Sequence, residues 1–497
     1  MSKYDIVIIG SGLGGLECGV ILSKEGYNVC VVEKHHIFGG CLQSFKRSGH
    51  ILDTGMHYVG SMDPGQILHQ YFKYFGIIDK IKTKRLDKKA FDVIHYQETE
   101  YNYALGFDNF ANTLSSYFPS EEQNIIAYTN QLKEIIELIS VENLRKGLIS
   151  VGGLEYFSQS ASQVIDNTVQ NNDLRNVLAG TSSLYAGIRD YSTFYHHAMI
   201  NASNIEGAHR FVDGSQSVAD ELVNIIRANG GTVLNKCEVT RLIMDDGKVT
   251  AIEIEGRENI EGQQFISNIH PVRTFELVDK TSIIKKAFQT RLNSLPNSYG
   301  LFTVYLIMKK KSFPYINSNH YLHGKKDTWY CTNHPEDTNV TSVLVCAQAN
   351  STDPNFAEVV TLLSPMFFGE LAQWENTSIG KRGDTYDAFK QAKAQEVINF
   401  VSQYYPNLRN SIETIHTASP LTYRDYTGTP QGSAYGIIKN SNNPLATMLS
   451  TRTKIENLFL TGQNLHVHGA LGVTLTAANT CSHLLGSEYL AKKIGNA

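Results

Sequence analysis

The sequence predicts an α/β fold that opens with a strand, a glycine-rich turn and a helix. Residues 5–9 are apolar and β-branched, as a central parallel strand should be, and the G-x-G-x-x-G of residues 10–15 follows directly. A helix over residues 13–25, ended by Gly26, leads to a second strand at residues 27–32. This order is that of a Rossmann-type βαβ unit, which binds dinucleotides at its first turn.

The glycines of this turn and the acid after the second strand carry the prediction of a bound dinucleotide. Gly10 permits the tight turn, Gly12 lets the backbone approach a pyrophosphate, and Gly15 lets helix and strand pack closely. The helix that begins at Leu13 points its amides at the phosphates. Glu33 ends the second strand at the distance where a carboxylate accepts the ribose hydroxyls of an adenosine.

The segment after Glu33 favours FAD over a nicotinamide cofactor. Lys34 follows the acid, and Gly39 and Gly40 complete an acid-x5-Gly-Gly spacing. This spacing resembles the fingerprint that separates FAD proteins of the amine oxidase and phytoene desaturase type from NAD dehydrogenases. A second glycine-rich turn lets the backbone pass close to the ribityl and flavin portion of the cofactor. We therefore predict FAD.

The C-terminal end of the chain is predicted to return to the cofactor. Residues 457–461 form a short apolar strand, a turn with Gly462 and Gln463 follows, and a helix runs over residues 473–485. Helix amides near the flavin would stabilise its anionic reduced form.

A hairpin over residues 233–254, with its turn at Asp246-Gly247, is expected to close over the adenine. Because the chain has a single G-x-G-x-x-G, a second dinucleotide-binding domain is not expected. The predicted cofactor-binding residues are Gly10, Gly12, Leu13, Gly14, Gly15, Glu33, Lys34, Gly39, Gly40, Cys41, Val239, Gly462, Gln463, Gly472 and Val473.

With these motifs assembled, the chain resembles the phytoene desaturase, carotenoid isomerase and retinol saturase superfamily. Four stretches carry the likeness: IVIIGSGLGGLECGVILSKEGYNVCVVEK, FGGCLQSFKRSGHILDTGMHYVG, TPQGSAYGI at residues 429–437, and NLFLTGQNLHVHGALGVTLTAANT. The run DTGMHYVG at residues 53–60 is more similar to the saturase and isomerase branch than to amine oxidases. The chain departs from most of this group at Cys41, where Arg or Lys is usual.

The resemblance implies FAD chemistry on the conjugated double bonds of an apolar polyene: saturation, desaturation or redox-assisted isomerisation. His57 is a candidate proton donor or acceptor, since a histidine titrates near neutral pH. Tyr58 and Tyr435 are candidates to line the substrate pocket, and His466 or His468 to face the flavin. No set of further ligands beside these histidines indicates a metal site.

We expect the Rossmann-type domain to be discontinuous, with an α+β substrate domain of mixed sheet and helices built from the intervening segments. The predicted FAD-binding domain comprises residues 1–65, 205–290 and 415–497, and the substrate domain residues 66–204 and 291–414. Within the latter, hydrophobic periodicity predicts helices over residues 125–139 and 154–169 and strands over residues 299–309 and 340–348.

Composition excludes several classes of protein. A net charge of −4 argues against a nucleic-acid binder, and seven scattered cysteines without a C-x-x-C indicate free thiols in a reducing compartment. Without a long apolar run, the protein is expected to be cytoplasmic or peripheral on the inner face of a membrane. Residues 66–90 combine aromatic side chains with a basic run, so either they seat on an anionic lipid surface or they form an amphipathic helix packed on its own domain.

Two other functions stay open at this stage. One is an amine or other small-molecule flavin oxidase of the same superfold. The other is a non-enzymatic protein of the GDP-dissociation-inhibitor type, which shares the architecture but serves prenylated proteins. The intact phosphate glycines and Glu33 argue against the second.

Overall fold

The computed structural model describes residues 3–149 and 154–497. The strands are β1 Lys3–Ile9, β2 Val29–Val32, β3 Ser44–Arg47, β4 His50–Asp53, β5 Thr83–Arg85, β6 Asp92–Tyr96, β7 Thr99–Tyr103, β8 His209–Phe211, β9 Thr232–Leu234, β10 Val239–Asp245, β11 Lys248–Ile254, β12 Ile260–Ser267, β13 Gly300–Met308, β14 Asn319–His323, β15 Ser342–Ala347, β16 Val359–Met366, β17 Ile412–Ala418 and β18 Leu458–Leu460. The α-helices are α1 Leu13–Lys24, α2 Ile67–Phe75, α3 Phe107–Tyr117, α4 Glu122–Glu137, α5 Val141–Arg145, α6 Leu154–Phe157, α7 Ala161–Thr168, α8 Asn172–Leu178, α9 Phe194–Gly207, α10 Gln216–Ala228, α11 Pro271–Leu277, α12 Lys286–Asn293, α13 Tyr330–Asn333, α14 Asp384–Ser402, α15 Leu408–Ser411, α16 Pro420–Thr427, α17 Pro444–Thr447, α18 Gly469–Leu485 and α19 Ser487–Gly495.

A first sheet forms the Rossmann-type unit that the sequence predicts. Its parallel strands follow the order β9-β2-β1-β12-β18, and the antiparallel hairpin β10–β11 pairs with the first residues of β12. The four core residues of β2 are all buried, as expected of a parallel strand covered on both faces. Helix α1 packs against α10 and α18. The predicted turn of the hairpin is present, with positive φ at Asp246 and Gly247.

A second sheet has mixed strand orientation, and residues of both sheets line one cavity. Its strand order is β17-β13-β16-β15-β14-β6-β7, antiparallel throughout except for the parallel pair β14–β6. The predicted strands at residues 299–309 and 340–348 correspond to β13 and β15. The fold class, a Rossmann-type α/β unit joined to a mixed sheet with helices, is therefore confirmed. The domain boundaries stay a prediction, and β17 crosses the boundary placed at residue 415.

Two predicted helices differ from the observed ones in their bounds. The helix predicted over residues 154–169 is interrupted, because Ser160 is extended and bridges Thr193 between α6 and α7. The C-terminal helix predicted to begin at residue 473 begins one turn earlier, at Gly469, after the extended residue His468. The first difference depends on a bridge to a residue distant in the sequence. The second depends on the backbone conformation of one residue, His468.

Helix α2 settles the two interpretations of residues 66–90 in favour of internal packing. Most apolar and aromatic side chains of this segment are buried, and those below a tenth exposed are Ile67, Leu68, Tyr71, Phe72, Tyr74, Phe75, Ile77, Ile81 and Leu86. Helix α2 packs against α1, α18 and α19, and Gln70 donates to the carbonyl of Ile494 at 2.7 Å. The expectation that these aromatic side chains seat on a lipid surface is wrong, because the protein itself covers them.

Across the two described stretches, no helix combines the length and apolarity that crossing a bilayer requires.

Candidate active site

One continuous cavity of about 420 Å³ lies between the two sheets. The carboxyl ends of β1 and β2 and the glycine-rich segments line one half of it, and β13, β15, β16 and α9 line the other. The position beyond the carboxyl ends of parallel strands is where doubly wound folds bind their ligands. The cavity thus brings the Rossmann turn and the second sheet into one site.

The glycine-rich turns pack so closely that larger residues would not fit. Gly12 forms an isolated β-bridge with Gly39, which joins the turn after β1 to the turn after β2. A Cβ on Gly15 would lie 2.1 Å from the carbonyl oxygen of Gly10, and one on Gly12 would lie 2.8 Å from the side-chain Nδ2 of Asn268. Gly10 has φ of 94°, which L side chains rarely adopt. These glycines therefore shape a narrow channel of backbone.

Glu33 is fixed at the end of β2 with its carboxylate at the cavity. Its Oε2 accepts from the backbone N–H and the hydroxyl of Ser11, at 2.9 and 2.7 Å, and its Oε1 accepts from the N–H of His35 at 2.9 Å. Each carboxylate oxygen has more than one lone-pair direction, so the group keeps acceptor capacity for a ligand's hydroxyls. Ser11 was not singled out from the sequence, although it lies inside the glycine-rich turn.

The N-terminus of α18 points at the same cavity from the opposite side. Gly469, Ala470, Leu471, Gly472 and Val473 all line it, together with Gly462 and Gln463 after β18. The first amides of a helix have no partner within the helix and carry partial positive charge. This end of the cavity is therefore suited to an electron-rich ligand group.

The structure brings nearly all of the predicted cofactor residues together. Every one of them except Gly15 lines the cavity, including Lys34, Gly40 and Val239. Gly15 lies behind the turn, where its missing side chain leaves room for Gly10. Cys41 also lines the cavity, and burial raises the pKa of its thiol, so it stays neutral and acts as a packing group.

The other half of the cavity has an apolar wall. Leu301, Leu344 and Leu363 come from three strands of the second sheet, and Met199 and Ile200 come from α9. Leu344 and Leu363 are direct cross-strand partners, so they stand on the same face of the sheet. Sequence periodicity indicates these strands but not which of their faces meets a ligand, so the wall was not predicted residue by residue.

His57 lies at the cavity wall as a neutral imidazole. Burial, with a smaller contribution from the positive charge of Arg210, lowers the pKa of His57 to about 4. Its Nε2 is buried and has no hydrogen-bond partner among the described residues. The residue therefore lies in the cavity that the sequence predicts, but at neutral pH its ring is uncharged and lacks the acidic imidazolium proton that a general acid would donate.

The other predicted substrate-side residues separate into two groups. Tyr435 and His468 line the cavity with their rings 4.6 Å apart, and the Tyr435 hydroxyl donates to the carbonyl of Ser183 at 2.8 Å. His466 does not line the cavity. Its carbonyl oxygen is 2.8 Å from Nε2 of His196, and burial lowers the pKa of the His466 ring to about 4.

Tyr58 lines the cavity, and its hydroxyl is held by residues behind the wall. That hydroxyl is 3.1 Å from Oδ2 of Asp92 and 2.5 Å from the hydroxyl of Tyr321. Burial raises the pKa of Tyr58 well above its usual range, so the hydroxyl keeps its proton. Asp92 and Tyr321 were missed in the sequence because neither belongs to a motif.

Buried neutral histidines predict that the protein loses stability in mild acid. The pKa is lowered to about 4 in His57, His95, His270, His323, His466 and His468, and to about 3 in His197 and His320. Unfolding returns each to a pKa near ~6.5, so the unfolded chain binds more protons between about pH 4 and 6.5. The stability present above pH 6.5 is therefore lost as the pH falls.

Among the described residues, five acids act in the opposite direction, because burial raises the pKa of Asp92 and Glu206 to about 7 and also raises that of Glu17, Asp53 and Glu370, but the eight histidines outnumber them. We expect the melting temperature to fall steadily from pH 7 to pH 5, measured by thermal denaturation in buffers of equal ionic strength. A melting temperature that is constant or rises over this range would contradict the assignment of neutral histidines.

A glycine-lined dinucleotide half that opens into an apolar half fits a flavin or nucleotide cofactor beside an apolar ligand, and the homologues below identify the protein as an oxidoreductase. A family model for NAD(P)-binding Rossmann-like domains matches residues 8–75. The chain is a homologue of the all-trans-retinol 13,14-reductases and prolycopene isomerases. The reductase of Danio rerio is 26% identical over 99% of this chain and 88% of its own length. Prolycopene isomerase 1 of an Oncidium hybrid cultivar is 23% identical over 99% and 85%.

Solved structures agree on the fold. An oxidoreductase from Methanosarcina mazei has 16% identity and a TM-score of 0.64 over 97% of this chain and 100% of its own. A putrescine oxidase bound to putrescine has 12% identity and a TM-score of 0.65 over 97% and 99%. At such identities the likeness shows the fold alone. The sequence homologues confirm the resemblance to the saturase and isomerase branch.

Proposed function

We propose that this protein is an FAD-dependent oxidoreductase that acts on a conjugated double bond of an apolar, retinoid- or carotenoid-like polyene, and that it saturates that bond. The single observation that carries the proposal is the continuous cavity, which joins a dinucleotide-shaped half to a leucine-lined half. The homology to retinol 13,14-reductases over nearly the whole chain supports saturation in particular.

The residues of the first half fit FAD. Gly12 and Gly39 line the cavity as bare backbone at the bridge between the two turns, where a Cβ on either would collide with a neighbouring side chain. Glu33 keeps acceptor capacity at the position of an adenosine ribose. The α18 amides would face the flavin, whose reduced form supplies a hydride when the cofactor is bound. We assign the FAD domain to residues 1–65, 205–290 and 415–497, and the substrate domain to residues 66–204 and 291–414.

The chain's own residues provide binding and water exclusion on the substrate side. Leu301, Leu344 and Leu363 offer the polyene an apolar surface, and Tyr435 and His468 are proposed to flank it. Buried apolar contact of this kind stabilises a bound hydrocarbon by about 25 cal/mol per Å² of surface removed from water. Among the described residues of the apolar wall, none carries a charge that would pair with an amine.

The test begins with the purified protein saturated with FAD. A yellow protein with absorbance near ~450 nm supports the cofactor assignment and excludes the non-enzymatic alternative. The flavin is then photoreduced without oxygen and mixed separately with retinoids, carotenoids and amines. A polyene product heavier by two hydrogens supports saturation. A product of unchanged mass and altered geometry, which the Oncidium relative's name makes the second candidate, would replace it.

The amine arm of the same experiment tests the remaining alternative. Oxidised enzyme is mixed with primary and diamines, and the flavin absorbance is followed. Bleaching by amines, together with no reaction of the reduced enzyme with any polyene, would defeat the proposed function.

Filling the apolar half should abolish polyene binding without releasing FAD. We expect Leu344→Trp to weaken polyene binding at least about 10-fold, because the added ring occupies space on the cavity side of β15. Polyene binding is measured by the shift of its own absorbance, and bound FAD by absorbance after gel filtration. Leu445→Trp, at a side chain 68% exposed, is the matched control. Unchanged polyene affinity in Leu344→Trp would show that this wall is not the substrate site.

A further inference from the structure

A buried carboxylic acid, Asp92, contacts the hydroxyl of Tyr58, which lines the cavity beside the apolar wall. Asp92 is 1% exposed and Tyr321 is fully buried, and both contact the Tyr58 hydroxyl as described above. The second carboxylate oxygen of Asp92 accepts from the amide of Asn319 at 2.8 Å. Tyr58 is thus the one member of this group that lines the cavity among the described residues, and it connects the cavity to the acid.

The register of the second sheet explains how this group comes to border the substrate half. Tyr321 on β14 is the cross-strand partner of Leu344 on β15, and Leu344 is the partner of Leu363 on β16. Direct partners project from the same face of a sheet, so Tyr321 continues the row of the apolar wall. Asp92 lies opposite Asn319 in the parallel pair β6–β14, one row away. The Tyr58 hydroxyl therefore meets the sheet at the edge of the leucine wall.

We propose that Tyr58 is the proton donor for saturation of the polyene double bond, and that Asp92 returns the proton to it while Tyr321 positions the hydroxyl. This inference rests on the proposed function and names the acid that saturation requires. Tyr58 is assigned the catalytic role because it is the member of this group that lines the cavity, and Asp92 and Tyr321 act through it.

The step balances in atoms and charge. One alkene carbon takes a hydride from the reduced flavin, and its neighbour takes the proton of the Tyr58 hydroxyl, so the double bond becomes a single bond with two added hydrogens. Bound reduced FAD would supply the two electrons of this reduction. Tyr58 regains a proton from the neutral carboxyl of Asp92, which is left as a carboxylate hydrogen-bonded by Asn319. Solvent protons restore Asp92 before the next turnover.

Other polar residues of the cavity are less suited to this role. The carboxylates among the described lining residues are Glu33 and Glu238, and both belong to the dinucleotide half. His57 is neutral at pH 7, and its Nε2 has no partner behind it that would resupply a proton. Tyr435 donates to a backbone carbonyl, which has no proton to return. Tyr58 alone among these groups has an acid in contact.

The surroundings of Asp92 allow it to hold a proton near neutral pH. Burial raises the pKa of Asp92 to about 7, against the opposing effects of Asn319, Tyr58 and Arg210. The titratable or charged groups that face it are Tyr58, Tyr321, Tyr103, Cys346 and Arg210. Burial raises the pKa of the three tyrosines and of the thiol, so Arg210 is the member of this set that is charged at neutral pH.

The test uses the FAD-loaded, photoreduced enzyme in single turnovers with the polyene that the wild type saturates. We expect Tyr58→Phe to slow product formation at least about 100-fold, the contribution of a general acid, while its affinity for the polyene stays within about threefold. Tyr103→Phe is the matched control. Tyr103 is the cross-strand partner of Asp92, but its hydroxyl donates to the carbonyl of Val177 away from the cavity. The single-turnover rate of the Tyr103→Phe variant should stay within about threefold of the wild-type rate.

Two readouts separate proton delivery from a structural role. The wild-type rate should fall as the pH rises through 7, because Asp92 loses its proton, and Asp92→Asn should be slower and lose this dependence. In D2O the wild-type product should carry deuterium on the carbon that takes the proton, next to the one that receives the hydride. If Tyr58→Phe does not fold, the pH profile of Asp92→Asn still decides the question.

The outcomes distinguish this inference from the proposed function. Wild-type enzyme that saturates no polyene overturns both. Wild-type saturation with an undiminished rate in Tyr58→Phe, or with the same pH profile in Asp92→Asn, overturns the proton-donor assignment and leaves the proposed function standing.

Discussion

Replacing Arg210 by methionine should destabilise the protein by at least about 3 kcal/mol, because several buried acceptors would lose their donor together. Arg210 is 1% exposed. Its Nη1 donates to the Tyr315 hydroxyl and the Ile316 carbonyl at 3.1 and 2.7 Å, and its Nη2 donates to the Ser318 carbonyl and the Asn319 side chain at 2.7 Å each. Methionine fills part of the volume but donates nothing.

The measurement is urea-induced unfolding with saturating FAD, and Arg241→Met is the control. The Arg241 side chain is 49% exposed and pairs with Glu253 and Asp279 on the surface, so its loss should cost less than about 1 kcal/mol. Similar losses of stability in the two variants would mean that the Arg210 hydrogen bonds contribute little to folding.

The Arg210→Met substitution should also affect the proposed proton transfer from Asp92 to Tyr58. Asn319 accepts from Arg210 through its oxygen and donates to Asp92 through its amide nitrogen, so Arg210 fixes which way that amide faces. Its positive charge also lowers the pKa of Asp92. A folded Arg210→Met enzyme should therefore show the proposed loss of rate at a higher pH than wild type does.

The hydrogen-bond network of Arg210, Asn319 and Asp92 could not be predicted from the sequence. Asp92, Arg210 and Asn319 come from β6, β8 and β14, and each appears in the sequence as an ordinary strand residue. No local pattern records that the parallel pairing of β14 with β6 brings Asn319 opposite Asp92. A single sequence without that pairing gives no reason to prefer Asp92 over any other aspartate.

The dinucleotide half was predictable because its determinants are local. The glycines at positions 10 and 12 and the acid at position 33 act through backbone dihedrals and strand ends that lie within one βαβ unit. The α18 segment was recognised by its strand, turn and helix order, although its first turn was missed. The break at Ser160 could not be foreseen, since it depends on a bridge to Thr193, more than thirty residues later in the chain.

Gly12→Ala should weaken FAD binding about 10- to 100-fold while leaving the fold intact. Gly12 is the residue before α1 and has φ of −60° and ψ of 167°, which alanine adopts without strain. The added methyl carbon would lie 2.8 Å from the Asn268 amide nitrogen, at a position where the backbone lines the cavity. The Asn268 side chain, which also lines the cavity, must therefore move, and we expect its displacement and the added methyl group to narrow the channel proposed for the pyrophosphate.

The affinity is measured by fluorescence titration of FAD into the apoprotein, with circular dichroism as the check on folding. Gly369→Ala is the matched control, since a Cβ there meets no atom within 4 Å. Glu33→Gln adds an independent probe: it keeps the shape but replaces charge-assisted hydrogen bonds by neutral ones, for an expected loss of about 10-fold. If Gly12→Ala bound FAD as tightly as Gly369→Ala, the cofactor would not pass over this turn, and the assignment of the dinucleotide half would have to be abandoned.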